Sequence, residues 1–120
     1  MALIRIVKGE DKMGDKVMMT TLTQYILGWA KERELLNADP TKQMLKLVEE
    51  LGELAEGMAK DKPNAIEDSV GDIYVVLVIL SAQLGLDIND CVEKVWEEIK
   101  DRKGEMINGV FIKESDLNID

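Results

Sequence analysis

The segment Glu67-Asp68-Ser69-Val70-Gly71-Asp72-Ile73-Tyr74-Val75-Val76-Leu77-Val78-Ile79-Leu80 decides the fold class. Its first half is polar, and Ile73 to Leu80 is the longest apolar run in the chain. That run is β-branched enough to suit a buried strand, and periodicity alone does not choose between strand and helix. Length does. No breaker other than Gly71 interrupts the chain from Ala65 to Leu84, far more than the roughly 5–6 residues of a typical strand. The segment is read as a helix that Asn64 and Glu67 open as a capping box and Gly85 closes.

The helical pattern continues on both sides. Upstream, Asp39-Pro40 is a cap followed by proline at the first helical position. The helix it opens carries Met44, Leu47, Val48, Leu51, Leu54, Ala55 and Met58 on one face and stops at Asp61-Lys62-Pro63. Before it, Leu22, Tyr25, Ile26, Trp29, Arg33 and Leu36 recur at three- and four-residue spacing, predicting a helix from Thr21 to about Asn37. Downstream, the residues near Asp87 to Asp90 start a fourth helix with Val92, Val95, Trp96 and Ile99 inward. It ends at Lys100-Asp101-Arg102-Lys103-Gly104, with basic residues at the negative end of the helix dipole. Val110-Phe111-Ile112 is a strand-like patch in the tail. Leu3 to Val7 suits a short strand, and Gly9 to Lys12 and Gly14 to Lys16 are turn-like. The expectation is an all-α domain of four main helices: residues 1–20 of uncertain structure, 21–104 helical, and 105–120 a short C-terminal tail.

Composition narrows the chemistry. The chain has 120 residues, 24 acidic and 15 basic side chains, a formal net charge of -9, no histidine and one cysteine. A charge of that sign opposes binding to polymeric nucleic acid or to an anionic membrane surface. Without histidine there is no Ser-His-Asp or Cys-His system and no imidazole ligand. Cys91 alone makes no intrachain disulfide and is read as packing. No signal peptide is legible, and the apolar run is too short for a membrane span of about 20 residues, so a cytoplasmic setting is expected.

What remains is carboxylate chemistry. Glu49, Glu50 and Glu53 are neighbours at helical spacing, with Glu56 one turn on, and taken alone they suit a solvated acidic face. Asp68 and Asp72 sit four apart on the next helix, and Asp72 directly precedes the apolar run. A first-turn cap role explains Glu67 and Asp68 but not Asp72, because a carboxylate near the core needs a partner. Two helices that both offer carboxylates can share a cation, and Mg²⁺ takes oxygen ligands while keeping waters for substrate phosphates.

Glu49-Glu50-Leu51-Gly52-Glu53-Leu54-Ala55 followed by Asp68-Ser69-Val70-Gly71-Asp72 resembles the MazG-like all-α nucleoside triphosphate pyrophosphohydrolases. Members carry Glu-Glu-x-x-Glu on one helix and Glu-x-x-Asp on the next. The resemblance covers about Thr21 to Asp116, including Asp101 to Gly104 and Asn108 to Glu114 of the tail. It departs at Ser69, which stands where the family has its second-element glutamate, and Asp68 can supply the missing carboxylate.

The resemblance implies a four-helix-bundle-like fold and hydrolysis of a nucleoside triphosphate to the monophosphate and pyrophosphate. Glu50, Glu53, Asp68 and Asp72 would hold Mg²⁺, and Glu49 would orient the water. Lys100, Arg102, Lys103 and Lys113 would hold phosphates, although each also reads as a solvated basic residue. Homodimers or homotetramers are usual in this superfamily. Tyr25, Trp29 and Trp96 can stack a base, but their spacing favours core packing. Phosphoribosyl-ATP pyrophosphatase and dUTPase- or dCTPase-like activities share these elements. From another class, a non-catalytic acidic helical interaction protein would spread its carboxylates over an exposed face instead of gathering them.

Overall fold

The computed structural model describes residues 12–13 and 16–117. The expected strand over Leu3 to Val7 lies outside them, as do Gly9 to Asp11 and Gly14-Asp15 of the two turn-like stretches. The chain forms two compact units, one ending at Ile88 and the other beginning at Asn89.

In the first unit, two-residue strands β1 (Lys12–Met13) and β2 (Lys16–Val17) pair antiparallel, with Lys12 opposite Val17. Helices α1 (Met19–Glu32), α2 (Pro40–Ala59) and α3 (Pro63–Gln83) follow, with a 3₁₀ turn at Leu35–Asn37 between α1 and α2. The first helix is shorter than its periodicity predicts. Glu34 adopts a left-handed conformation (φ 61°), its N–H donates to Lys31 O, and the chain re-enters as the 3₁₀ turn. Gln83 Nε2 donates to Leu35 O at 2.9 Å and ties that turn to the end of α3.

Helix α2 opens as expected, with the Asp39 side chain accepting from Thr41 N at 2.9 Å and Pro40 at the first helical position. It closes in a Schellman arrangement: Asp61 is left-handed (φ 51°), Lys62 N donates to Gly57 O at 2.9 Å, and Asp61 N donates to Met58 O. Helix α3 then starts one residue before the expected capping box. Pro63 is its first residue, Lys62 is the cap without a side-chain bond, and Asn64 lies inside the helix. The proline sets the entry instead, because its fixed φ is already helical. At the far end Gly85 (φ 75°) and the bond from Leu86 N to Ser81 O close α3 as the sequence indicates.

Helices α2 and α3 therefore form an αα-hairpin, and α3 is its spine. Val76, Val78, Ile79 and Leu80 of α3 are buried together with Ala30 of α1, so the ambiguous apolar run is a helix enclosed on nearly all sides. Two threonines of α1, Thr21 and Thr23, are also buried. Thr23 Oγ1 donates to Met19 O and shares a 2.7 Å hydrogen bond with Tyr74 Oη on α3.

The apolar face assigned to α2 is displaced by one row. Gln43, Leu47, Glu50, Leu54 and Gly57 form the covered row, whereas Met44, Val48, Leu51, Ala55 and Met58 are exposed. Gly57 explains the rotation. A Cβ there would lie 3.3 Å from Ile66 Cγ1 and 3.5 Å from Ala65 Cβ, so α2 approaches α3 closest along the row that contains the glycine.

The second unit holds α4 (Ile88–Ile99), the antiparallel pair β3 (Gly104–Ile107) and β4 (Val110–Lys113), and the short α5 (Glu114–Leu117). The strand-like patch in the tail is half of a hairpin whose other half, Gly104 to Ile107, the sequence reading missed. Asn108 and Gly109 both take positive φ (51° and 79°), the requirement of a type I′ turn. None of the described residues of this unit is buried, so Val92, Val95, Trp96 and Ile99 are exposed instead of inward. Trp29 and Trp96, at 48% and 55% exposure, are not core residues either. Among the described residues no single helix is long and apolar enough to cross a membrane.

Ile79→Ala removes a buried branched side chain from the second half of α3 and should cost about 2–5 kcal/mol in urea unfolding. Val92→Ala on exposed α4 should stay within about 0.5 kcal/mol.

Candidate active site

The αα-hairpin brings the two acidic elements to one place. A cavity of about 380 Å³ lies between α2 and the first turns of α3, lined by Glu53, Glu56 and Gly57 from one side and Lys62, Ala65, Asp68, Ser69 and Asp72 from the other. Gly57 favours this close approach, since a Cβ there would stand 3.3 Å from Ile66 Cγ1.

The carboxylates act on one another. The Glu53 carboxyl is raised above its ordinary value, first by repulsion from Glu50, then by a hydrogen bond with Glu50, desolvation, and the charges of Glu49 and Asp72. Three of the other expected acidic site residues, Glu49, Glu50 and Asp72, thus act on Glu53. Asp68 lines the cleft beside Asp72 and is exposed, as are Glu49, Glu53 and Asp72.

Glu50 differs. Its side chain is only 8% exposed; Oε1 faces Lys46 Nζ at 3.5 Å, and Oε2 is buried with no donor. The Glu50–Glu53 hydrogen bond exists only while the pair shares a proton, because two ionised carboxylates are both acceptors. Lys46 supplies a counter-charge at Oε1 alone, and a buried carboxylate oxygen left without a donor, as Oε2 is, is costly.

A hard cation suits this all-oxygen donor set and the orphaned Glu50 oxygen. As placed, no three acidic or cysteine side chains among the described residues stand close enough together to hold a metal ion. Glu53, Asp68 and Asp72 are exposed carboxylates that line the cleft, so by chemistry the residues fit a hard cation. Ser69 is buried at 4% exposure in the cleft wall, where its small size leaves room between the two aspartates.

The expected phosphate-binding residues all lie in the second unit. Lys100 Nζ is 2.7 Å from Glu97, and Lys113 Nζ is 4.0 Å from Asp116. Arg102 and Lys103 are exposed at the start of the hairpin. Within the cleft itself the cationic residue is Lys62, which sequence reasoning passed over because its place in the Asp61-Lys62-Pro63 turn looked like punctuation. Tyr25, Trp29, Ile26 and Val75 line a separate apolar depression of about 330 Å³, with the Arg33 guanidinium stacked 4.3 Å from the centre of the Trp29 ring.

The model of the MazG nucleotide pyrophosphohydrolase domain matches residues 38–107, and the chain belongs to that family. It is also 49% identical over 67 residues to a protein of Haemophilus phage HP1 (strain HP1c1) described as an uncharacterized 18.2 kDa protein in the rep-hol intergenic region. That match covers 55% of this chain and 41% of the phage protein's length. No solved structure matches the chain.

Because repulsion raises the Glu53 carboxyl, its ionised form opposes folding above the raised pKa, and the opposition fades as pH falls through it. Glu53→Gln should therefore melt higher than wild type in chelator at pH 7, with the difference shrinking toward pH 5. A melting series with and without Mg²⁺ or Mn²⁺ checks both parts: the wild type should gain stability from the ion, and the variant should gain little.

Proposed function

We propose that this chain hydrolyses a nucleoside triphosphate to the nucleoside monophosphate and pyrophosphate, using Mg²⁺ held by Glu50, Glu53, Asp68 and Asp72. The observation that carries the proposal is the convergence of the Glu49, Glu50 and Asp72 charges on Glu53, beside a buried Glu50 oxygen that lacks a donor. Membership of the MazG family supports the same reaction. A non-catalytic acidic surface would gain nothing from holding like charges in a cleft.

Bound Mg²⁺ would supply charge neutralisation for the triphosphate and acidify a coordinated water. Glu50, fixed by burial, sets the position around which the exposed carboxylates close. Glu49, exposed one residue before it, orients the attacking water and takes its proton as the oxygen bonds to the α-phosphorus. The bond from that phosphorus to the bridging oxygen breaks, and pyrophosphate leaves. Of the four basic residues of the second unit expected to hold phosphates, Lys100 and Lys113 face Glu97 and Asp116, and Arg102 and Lys103 are exposed. Nucleoside triphosphates are solutes of the cell interior, which is where the proposal places the chain. The panel that tests it includes phosphoribosyl-ATP, dUTP and dCTP.

The proposal includes a homodimer or homotetramer. The exposed row Met44, Val48, Leu51, Ala55 and Met58 is an apolar stripe at helical spacing, the pattern of a helix face that a second helix covers.

Pyrophosphate release from a nucleotide panel with Mg²⁺ should be found for at least one triphosphate and fall by at least about 100-fold in Glu53→Gln. Absence of release by the wild type, or an equally active variant, rejects the site. By light scattering the wild type should be larger than a monomer, and Leu51→Glu should shift it toward the monomer mass.

A further inference from the structure

Among the residues lining the acidic cleft, Lys62 is the cation, and its backbone is fixed from both sides. Its N–H donates to Gly57 O at 2.9 Å as the closing bond of α2, and its carbonyl accepts from Ile66 N at 3.0 Å as the opening bond of α3. Pro63 follows and restricts its torsions further. The lysine is therefore a fixed feature of the hairpin and not part of a wandering loop.

Two other lysines of α2 and its end, Lys46 and Lys60, are engaged with acids. Lys46 faces Glu50, and Lys60 is paired with Glu56 on the helix surface. Lys62 is exposed and takes part in no such close pair, yet its charge reaches Glu56 across the cleft wall. Glu56 lies one turn beyond Glu53 along α2, about 4.5 Å along the axis. The cleft thus has a strongly acidic end around Glu53 and Asp72, and an adjacent end where a cation stands beside Glu56.

A triphosphate is an extended anion whose phosphates follow one another in line. With the α-phosphate at the acidic end, where the cation and water act, the next phosphates extend toward a neighbouring turn of the helix. We infer that Lys62 binds the pyrophosphate portion of the substrate through a charge-assisted hydrogen bond from its ammonium group to a non-bridging phosphate oxygen. The first turn of α3 lies beside it, with Ala65 in the cleft wall, and its N-terminal dipole favours the same anion. This inference rests on the pyrophosphohydrolase reading of the cleft. It adds a phosphate-binding residue within the helical hairpin itself, apart from the basic residues of the second unit.

The test compares wild type, Lys62→Met and Lys62→Arg. Inorganic pyrophosphate binding in the presence of Mg²⁺ is measured by calorimetry, alongside nucleotide hydrolysis and the melting shift produced by Mg²⁺ alone. Lys62→Met should weaken pyrophosphate binding at least about tenfold, and Lys62→Arg should restore most of it. The melting shift from Mg²⁺ should persist in both variants, which separates loss of a phosphate contact from damage to the carboxylates. A wild-type enzyme that hydrolyses nucleotides while Lys62→Met binds pyrophosphate equally well overturns the role of Lys62 and leaves the hydrolase reading intact. A wild type that releases no pyrophosphate from any triphosphate overturns both.

Discussion

Repulsion at Glu53, from Glu50 and Glu49 on its own helix and from Asp72 across the hairpin, is the constraint that the helical hairpin must accommodate. Like charges brought together across two helices push those helices apart, so something must hold them. Three features do so: the enclosed Val76 to Leu80 segment of α3, the close approach at Gly57, and the tight closure through Asp61 and Lys62. The Val76 to Leu80 segment lies outside the cleft, whereas Gly57 and Lys62 line it, and together they fix where the carboxylates stand. A protein selected only for stability would not keep Glu50 buried with an oxygen that accepts no hydrogen bond.

Much of this was legible in the sequence, for identifiable reasons. Asp39-Pro40 marks a helix start by a side-chain cap and a preset torsion, both local effects, and the structure shows both. Asp72 was expected near the core with a partner; it is exposed instead, and its charge adds to the repulsion that raises Glu53. The early stop of α1 was not legible, because Glu34 takes a left-handed conformation that non-glycine residues seldom adopt. The same holds for Asp61, whose turn makes Lys62 a cleft residue. The rotation of α2 by one row was hidden as well: hydrophobicity pointed to Met44, Leu51 and Met58, whereas close packing followed a glycine.

The second unit shows a different limit. Asn108-Gly109 is a strong hairpin signal, but Gly104-Glu105-Met106-Ile107 carries too little β-branching to announce the partner strand. Its pairing with Val110 to Lys113 is set by the turn and by register, Ile107 opposite Val110. Side chains that periodicity placed inward on α4 find no interior within a unit of this size, a reminder that amphipathic spacing identifies a face without saying what covers it.

The tight connection between α2 and α3 has a kinetic consequence. Every carboxylate of the cleft lies between Glu49 and Asp72, on the two arms of one helical hairpin, so joining them requires the closure of only a short loop. Contacts of such low sequence separation form early and fast during folding, ahead of the longer-range docking of α1 on α3. The acidic cleft is thus assembled by contacts more local than those that dock α1 on α3. Its charge repulsion is met at the start of folding, when the hairpin alone must withstand it.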